Sequence, residues 1–287
     1  MKSTKELIDL LNLEQIDESI YRGQNYQSPW GSVFGGQVMA QAAHAARMTV
    51  QDEKLLHSLH GYFILRGDIS IPIIFRVDRI RDGKSFTTRR VVATQKGKAI
   101  FNLSASFQIA EKGFEHQITM PNVPSPEALI PDSEWAKQFK DSDPQLYERY
   151  IRDDPFEFRQ VERFDPVNLR NERPIRHLWI KAKSKVPDDQ KLQREILTYS
   201  SDYKLMATSM LPHRTKHNRE NMQFASLDHA MWFYHDINLN EWLLYAFDSP
   251  VASSSRGLNR GNFFTQDGKL VASVVQEGLI RHREPKN

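Results

Sequence analysis

The sequence predicts an α+β chain built of two similar halves, each an antiparallel β-sheet wrapped around one long helix. Three observations lead there: period-2 alternation of apolar residues in several segments, one smooth and one amphipathic helical stretch, and short strings that recur about 170 residues apart.

The elements follow in chain order. Gly35-Gly36-Gln37 leads into VMAQAAHAARM, an Ala-rich run with high helix propensity and little side-chain bulk, so a curved sheet can approach it closely. Residues 71–79 alternate, with Ile71, Ile73, Phe75 and Val77 in one phase against Arg76 and Asp78. Phe86 to Gln95 is β-prone, and Lys96-Gly97 supplies a short turn into the next strand. Residues 99–109 alternate most cleanly: Ala99, Phe101, Leu103, Ala105, Phe107 and Ile109 against Asn102, Ser104, Ser106 and Gln108. Such half-apolar strands belong to an antiparallel sheet with one covered face.

Prolines at 121, 124, 126, 131, 144, 155, 166 and 174 punctuate what comes next, and its first two-thirds reads as a connector with a short helix near Asp132 to Lys140. His177 to Lys183 then reads as a strand. Asp188 to Tyr203 reads as a helix, since Leu192, Ile196, Tyr199 and Tyr203 are spaced four, three and four apart. Ala225-Ser226-Leu227-Asp228 matches His57-Ser58-Leu59-His60 at an offset of 168, and Gln266-Asp267-Gly268-Lys269 matches Gln95-Lys96-Gly97-Lys98 at 171. The expected organisation is a first repeat over 1–112, a connector over 113–154 and a second repeat over 155–287.

Composition bounds the function. Apolar residues make up 39% and charged ones 26%, the balance of a folded domain and not of a disordered chain. No apolar run reaches the roughly 18 to 20 residues of a membrane-spanning helix, and the start MKSTKELIDL has no apolar signal core. A net charge of +3, with Lys and Arg dispersed, argues against nucleic acid. The absence of cysteine excludes a disulfide scaffold, a Cys-ligated metal and a thiol nucleophile. The last residues, EPKN, match neither the ER nor the peroxisomal ending, so a cytoplasmic, membrane-free protein is expected.

Several strings together carry a family resemblance: VFGGQVMAQA (33–42), HSLHGYF (57–63), DGKSFTTRRV (82–91), SSDYKLMATSM (200–210), SLDHAMWF (226–233), NEWLLY (240–245) and FTQDGKLVASVVQEGLIR (264–281). The chain resembles, over nearly its full length, the acyl-CoA thioesterase II family of double-hotdog proteins. The resemblance implies hydrolysis of medium- to long-chain acyl-CoA to free acid and CoA, without metal or other cofactor, by a homo-oligomer (dimer or tetramer). It places the family's water-holding residues on Asp202, Ser226 and Gln276. Many relatives carry threonine where Ser226 stands, so the hydroxyl is kept and a rotamer-stiffening methyl is lost.

Read without the family, each residue has two explanations. Gln276 is in phase with Leu270, Ala272 and Val274, and the offset of 171 sets it opposite Ala105; a polar group there is either functional or a satisfied structural amide. Asp202 falls near the C-terminal end of a helix, where the dipole raises its pKa, as suits a base; otherwise it is a solvated helix-end acid. No G-x-S-x-G elbow surrounds Ser226, which argues for holding water instead of attacking. His57 and His60 are rivals, although strand parity sends them to opposite faces. His213 and His217, among Arg214, Lys216 and Arg219, read as a solvated basic loop, with phosphate contact second. The amides of Gly36 and Gln37 are expected as oxyanion donors, His57 as a substrate contact, and Arg66, Arg89 and Arg90 as contacts for CoA phosphates. The alternatives are a non-catalytic acyl-CoA binder, or a hotdog hydratase or dehydratase, which needs a paired His and acid.

Overall fold

The computed structural model describes residues 1, 3–28, 31–166, 168–216 and 221–282. The first half runs α1 (Thr4–Leu11), β1 (Glu14–Asp17), β2 (Ile20–Gly23), α2 (Gly35–Arg47), β3 (Lys54–Phe63), β4 (Ile73–Asp82), β5 (Phe86–Gln95) and β6 (Lys98–Ile109). The connector carries α3 (Asp132–Ala136) and α4 (Pro144–Ile151). The second half follows with β7 (Phe156–Gln160), β8 (Ile175–Ala182), α5 (Gln190–Ser201), β9 (Met222–Ser226), β10 (Asp228–Phe233), β11 (Leu243–Ser253), β12 (Arg256–Thr265) and β13 (Leu270–His282).

These strands join one antiparallel sheet, ordered β1-β2-β4-β5-β6-β3-β10-β13-β12-β11-β8-β7, with β9 also paired to β13. Outward from the β3–β10 seam the two sides read alike, β3-β6-β5-β4-β2 and β10-β13-β12-β11-β8. The alternation read from 99–109 is what β6 does: Phe101, Leu103, Ala105 and Phe107 are buried, while Ser104 is exposed. Lys96 and Gly97 both take positive φ (48° and 73°), the backbone that a two-residue hairpin turn requires.

Helices α2 and α5 lie side by side against this sheet, antiparallel to each other. They approach so closely that a Cβ on Gly36 would stand 2.2 Å from the Tyr199 carbonyl oxygen, which explains why the second position of α2 holds a residue without a side chain. Between them the buried Glu195 receives Arg47 and lies 2.9 Å from His44 Nδ1, a charge compensated within the interface.

The pairing register corrects one offset. Leu56 pairs with Phe107 and Leu59 with Ala105, so β3 has an extra residue at His57. Ser226 pairs with Gly278 and Ala230 with Val275, so Leu227 is the matching extra residue in the second half. The offset of 171 between β6 and β13 holds, but β3 maps onto β9 and β10 at 170, not 168. Ser226 therefore corresponds to Leu56, and His229 to Leu59. The string similarity misplaced these by two residues because it followed a chance Ser-Leu identity, whereas the pairing partners fix the register, and the bulge is common to both halves.

The expected connector helix is α3 followed by a 3-10 turn at Lys137–Phe139. The connector also forms α4, which the reading by proline punctuation missed; Asp143 caps it by accepting from the Leu146 N–H, and Pro144 opens it. Buried Asp132 ties the connector down, accepting from Gln160, from Arg163 at 2.9 Å and from Lys204 at 2.8 Å.

Candidate active site

Two helix ends and two strands converge where α5 stops and α2 starts. Asp202 is the C-cap of α5 and Gly36 is the second residue of α2, so the carboxylate faces the partial positive end of the neighbouring helix. Its Oδ2 accepts the Gly36 N–H at 3.0 Å. Its Oδ1 accepts from Gln276 Nε2 at 2.8 Å, and the same nitrogen donates to Ser226 Oγ at 2.9 Å. The three residues that the family resemblance singled out thus form one connected group.

The amide orientation of Gln276 follows from its partners. Turned the other way, Oε1 would face a carboxylate; as placed, each Nε2 hydrogen has an acceptor. Oε1 is then a sealed atom without a partner among the described residues. The residue is fully buried in the core-facing phase of β13, beside Val274, which is what its sequence phase predicted.

Asp202 borders a cavity and keeps part of its surface accessible, yet protein atoms crowd the carboxylate on its other sides. Burial pushes its pKa up to about 6, and the hydrogen bonds from Gln276 and Gly36 pull it part of the way back. Burial, and not the dipole of α5, is the chief cause of the expected upward shift. The cavity, of about 520 Å³, has the aromatic wall Phe34, Tyr199, Tyr203 and Phe158.

A further ring of polar groups supports the site, and the sequence reading missed it. His229 Nε2 lies 2.9 Å from Ser201 Oγ, while that hydroxyl donates to the Thr198 carbonyl at 2.8 Å. The hydroxyl proton is therefore taken, so His229 carries its own proton on Nε2 and leaves Nδ1 bare and sealed. Burial drives the imidazole down to about 3, so it stays neutral. Tyr245 donates its hydroxyl to the Ser201 carbonyl at 2.7 Å. The signal was available: His229 shares the core-facing phase of Met231 and Phe233, the same anomaly that flagged Gln276.

Other expected site residues lie elsewhere or are already bonded. Gly36 gives its amide to Asp202, and Gln37 gives its own to the Phe34 carbonyl, so neither N–H is left for an oxyanion. The Gln37 side chain is buried and bonded to Asn25, Gln41 and the Tyr26 amide. Gly35, the first residue of α2, has no partner for its N–H among the described residues, and a Cβ there would sit 2.7 Å from Asp202 Oδ2. His57 bonds Ser106 at 2.8 Å and His60 stands edge-on to Trp232. The bulge puts both on the sheet face away from the helices, against the parity expectation.

Arg89 is fully buried and donates to Thr49, Asp82 and the Arg81 carbonyl, a structural role that excludes phosphate contact. Arg90 pairs with Asp78 on the outer sheet face, away from the site. Arg66 is exposed in the loop after β3. In the basic loop, Arg214 donates to the carbonyls of Asp165 and Arg170; His217 and Arg219 lie outside the described residues. Among the described residues no three His, Asp or Glu side chains converge as a metal-ligand set, and no helix is long and apolar enough to cross a membrane.

Comparison with known proteins identifies the family. The profile described as acyl-CoA thioesterase matches residues 155–279, and the profile described as acyl-CoA thioesterase N-terminal domain matches 26–108. The chain is 40% identical over 279 residues to acyl-CoA thioesterase 2 of Haemophilus influenzae, covering 97% of this chain and 98% of that one. An acyl-CoA thioesterase II from Mycobacterium marinum superposes with a TM-score of 0.80 at 39% identity, covering 96% of this chain and 98% of the other. A hot dog fold protein from Alicyclobacillus acidocaldarius superposes at 0.76 with 18% identity, covering 98% and 99%, and shares the fold alone. The chain belongs to the acyl-CoA thioesterase II family of thioester hydrolases.

Proposed function

We propose that the chain hydrolyses medium- to long-chain fatty acyl-CoA to free fatty acid and CoA, with water activated by Asp202. One observation carries this reading: a crowded carboxylate held near a pKa of 6, fixed at both oxygens and open to a cavity. A base near the working pH is ionised yet still basic enough to take a proton.

In this scheme Asp202 accepts a proton from water as the water oxygen bonds to the thioester carbonyl carbon. Both Nε2 hydrogens of Gln276 are already bonded, so it serves to orient Asp202 and Ser226. Ser226 accepts from Gln276, which leaves its hydroxyl proton for the water oxygen. The Gly35 N–H is the donor offered to the developing oxyanion. The C–S bond then breaks, and the thiolate takes up the proton; a thiol of pKa about 8.5 leaves readily. No cofactor enters.

The same proposal covers organisation and setting. Two tandem hotdog repeats, 1–112 and 155–287, joined by the connector 113–154, each wrap a sheet around one long helix; the matching strand order of the two sides supports this. The protein works in the cytoplasm as a homo-oligomer, a dimer or tetramer, for which the exposed Tyr62, Ile64 and Leu65 offer apolar surface. Thiol release measured across saturated acyl-CoA lengths, with and without EDTA, tests the function. No thiol at any length, or activity abolished by EDTA, would overturn it. A non-catalytic binder would hold acyl-CoA without turnover.

A further inference from the structure

The three arginines expected to meet phosphate were the wrong ones in two cases, since Arg89 is sealed in a structural network and Arg90 is paired on the outer face. The cavity beside Asp202 has its own cations. Arg149, Arg152 and Arg176 line it, and none of the three side chains makes a hydrogen bond or ion pair with a described residue. Lys204 lines it too but is bonded to Asp132.

Arg176 is the informative one. It lies on β8 in phase with Leu178 and Ile180, the phase that faces the core, where a cation is unexpected. Its Nε is sealed and unpartnered, and the guanidinium stacks over the Phe164 ring at 5.1 Å. Its terminal nitrogens are not among the sealed atoms, so they keep access to the cavity. Asp132 and Glu162 act on it from a distance but neither forms an ion pair with it, and a desolvated guanidinium left in that state is costly, a cost that an anion delivered through the cavity lowers. In the first half the corresponding position is Ser19, opposite Val77 as Arg176 is opposite Phe247, so only the half with the polar group carries the cation.

The acids lining the cavity besides Asp202 form no ion pair with the three arginines. Asp132 is bonded to Lys204, Arg163 and Gln160. Asp154 accepts from the Phe156 amide, and burial pushes its carboxyl up. Asp153 is exposed and forms no ion pair with a described residue.

We propose that Arg149 and Arg152, from the connector helix α4 and its cap, together with Arg176 of β8, form the subsite for the phosphates of the CoA nucleotide. The thioester then lies at Asp202, and the intervening arm of CoA crosses the aromatic wall of Tyr199 and Tyr203. This rests on the thioesterase reading. The connector thereby completes the substrate site, which the repeats alone leave open on that side.

The test compares an acyl-CoA, its 3′-dephospho form and the same acyl group on N-acetylcysteamine, which has no phosphate, for wild type, Arg149→Ala/Arg152→Ala and Arg176→Met. The expected result is a loss of about 10-fold to 100-fold in kcat/KM for acyl-CoA, carried by KM. The wild-type preference for acyl-CoA over the N-acetylcysteamine ester should collapse by the same factor. Adenosine 3′,5′-bisphosphate binding, measured by calorimetry without any turnover, should weaken in parallel. Equal losses on both esters, or unchanged affinity for the bisphosphate, would overturn the subsite. A loss confined to acyl groups with a terminal carboxylate would assign the cations to the acyl end and overturn it as well. Wild type that releases no thiol from any ester fails the thioesterase reading instead, and the calorimetric arm still judges the subsite.

Discussion

At one end of the helix pair the C-cap of α5 is Asp202, and the strands beneath bring Ser226 and Gln276; at the other, the C-cap of α2 is Met48, and the corresponding strand positions are Leu56 and Ala105. The backbone frame is the same, down to the bulge in each central strand. The first end is packed, with Leu56 and Ala105 buried and Arg89 and Lys54 bonded into structural networks nearby. The two sides thus offer like frames, and on the proposed mechanism only the second carries chemistry while the first packs. A crowded carboxylate and a sealed amide oxygen both lower stability, so one such cluster is tolerated more easily than two.

The comparison breaks most sharply at Asp202. Asp202→Asn keeps the shape and removes basicity, so turnover should fall about 100-fold to 10,000-fold with substrate binding nearly unchanged. Wild-type turnover should rise with pH through a single limb centred near 6, the pKa to which burial raises this carboxyl. Stability runs the opposite way. The native state holds the proton up to about 6 whereas the unfolded chain releases it near the ordinary carboxylate value of about 3.9, so this group's contribution to stability declines as pH rises between those values. Thermal melts should accordingly show Asp202→Asn gaining more at pH 8 than at pH 4. A wild-type rate flat from pH 5 to 8 would remove Asp202 as the base.

Gln276→Ala makes the second end resemble the first. Turnover should drop about 10-fold to 1,000-fold while the melting temperature holds or rises, because the loss is of orientation and the removed amide had one unsatisfied oxygen. A large fall in melting temperature with normal turnover per folded molecule would return Gln276 to a structural role.

The converse exchange, Ala105→Gln, puts an amide where no carboxylate or hydroxyl waits for it. Denaturant unfolding should show a loss of about 1 to 3 kcal/mol, with turnover per folded molecule unchanged. Any gain of a second titrating limb in the pH profile would show that the first end retains latent chemistry.

Ser226→Thr is the mildest change. The hydroxyl stays and the added methyl narrows its rotamers, so turnover should change by no more than about threefold, upward if the water is better held. A tenfold loss in the steady-state rate would mean that the methyl has no room beside Gly278.

Most of the sheet was legible because half-buried strands impose period 2 on their residues: β5 spans the segment read for it, and β6 begins only one residue earlier than the alternation read from 99. Gln276 was legible for the same reason, as a polar residue in an apolar phase. His229 carried that signal too. Helix α4 escaped because a proline at a first helical position looks, without its Asp143 cap, like another break. The HSLH similarity misled because strings align by identity, here a shared Ser-Leu pair, whereas strands align by pairing.

The sequence by itself determined the class of the fold and marked Gln276 as a polar residue in an apolar phase, because periodicity, helix propensity and buried polarity act locally and leave local marks; Asp202 and Ser226 were singled out only through the family resemblance. Only the tertiary structure decided which cations face the cavity beside Asp202 and which are sealed. Arg89 and Arg176 are indistinguishable as letters. One is neutralised by Asp82 from the adjacent strand, while the other stands unpaired beside a cavity that the connector helps to close. Desolvation and charge pairing depend on every atom within a few ångströms, and those neighbours come from segments far apart in the chain.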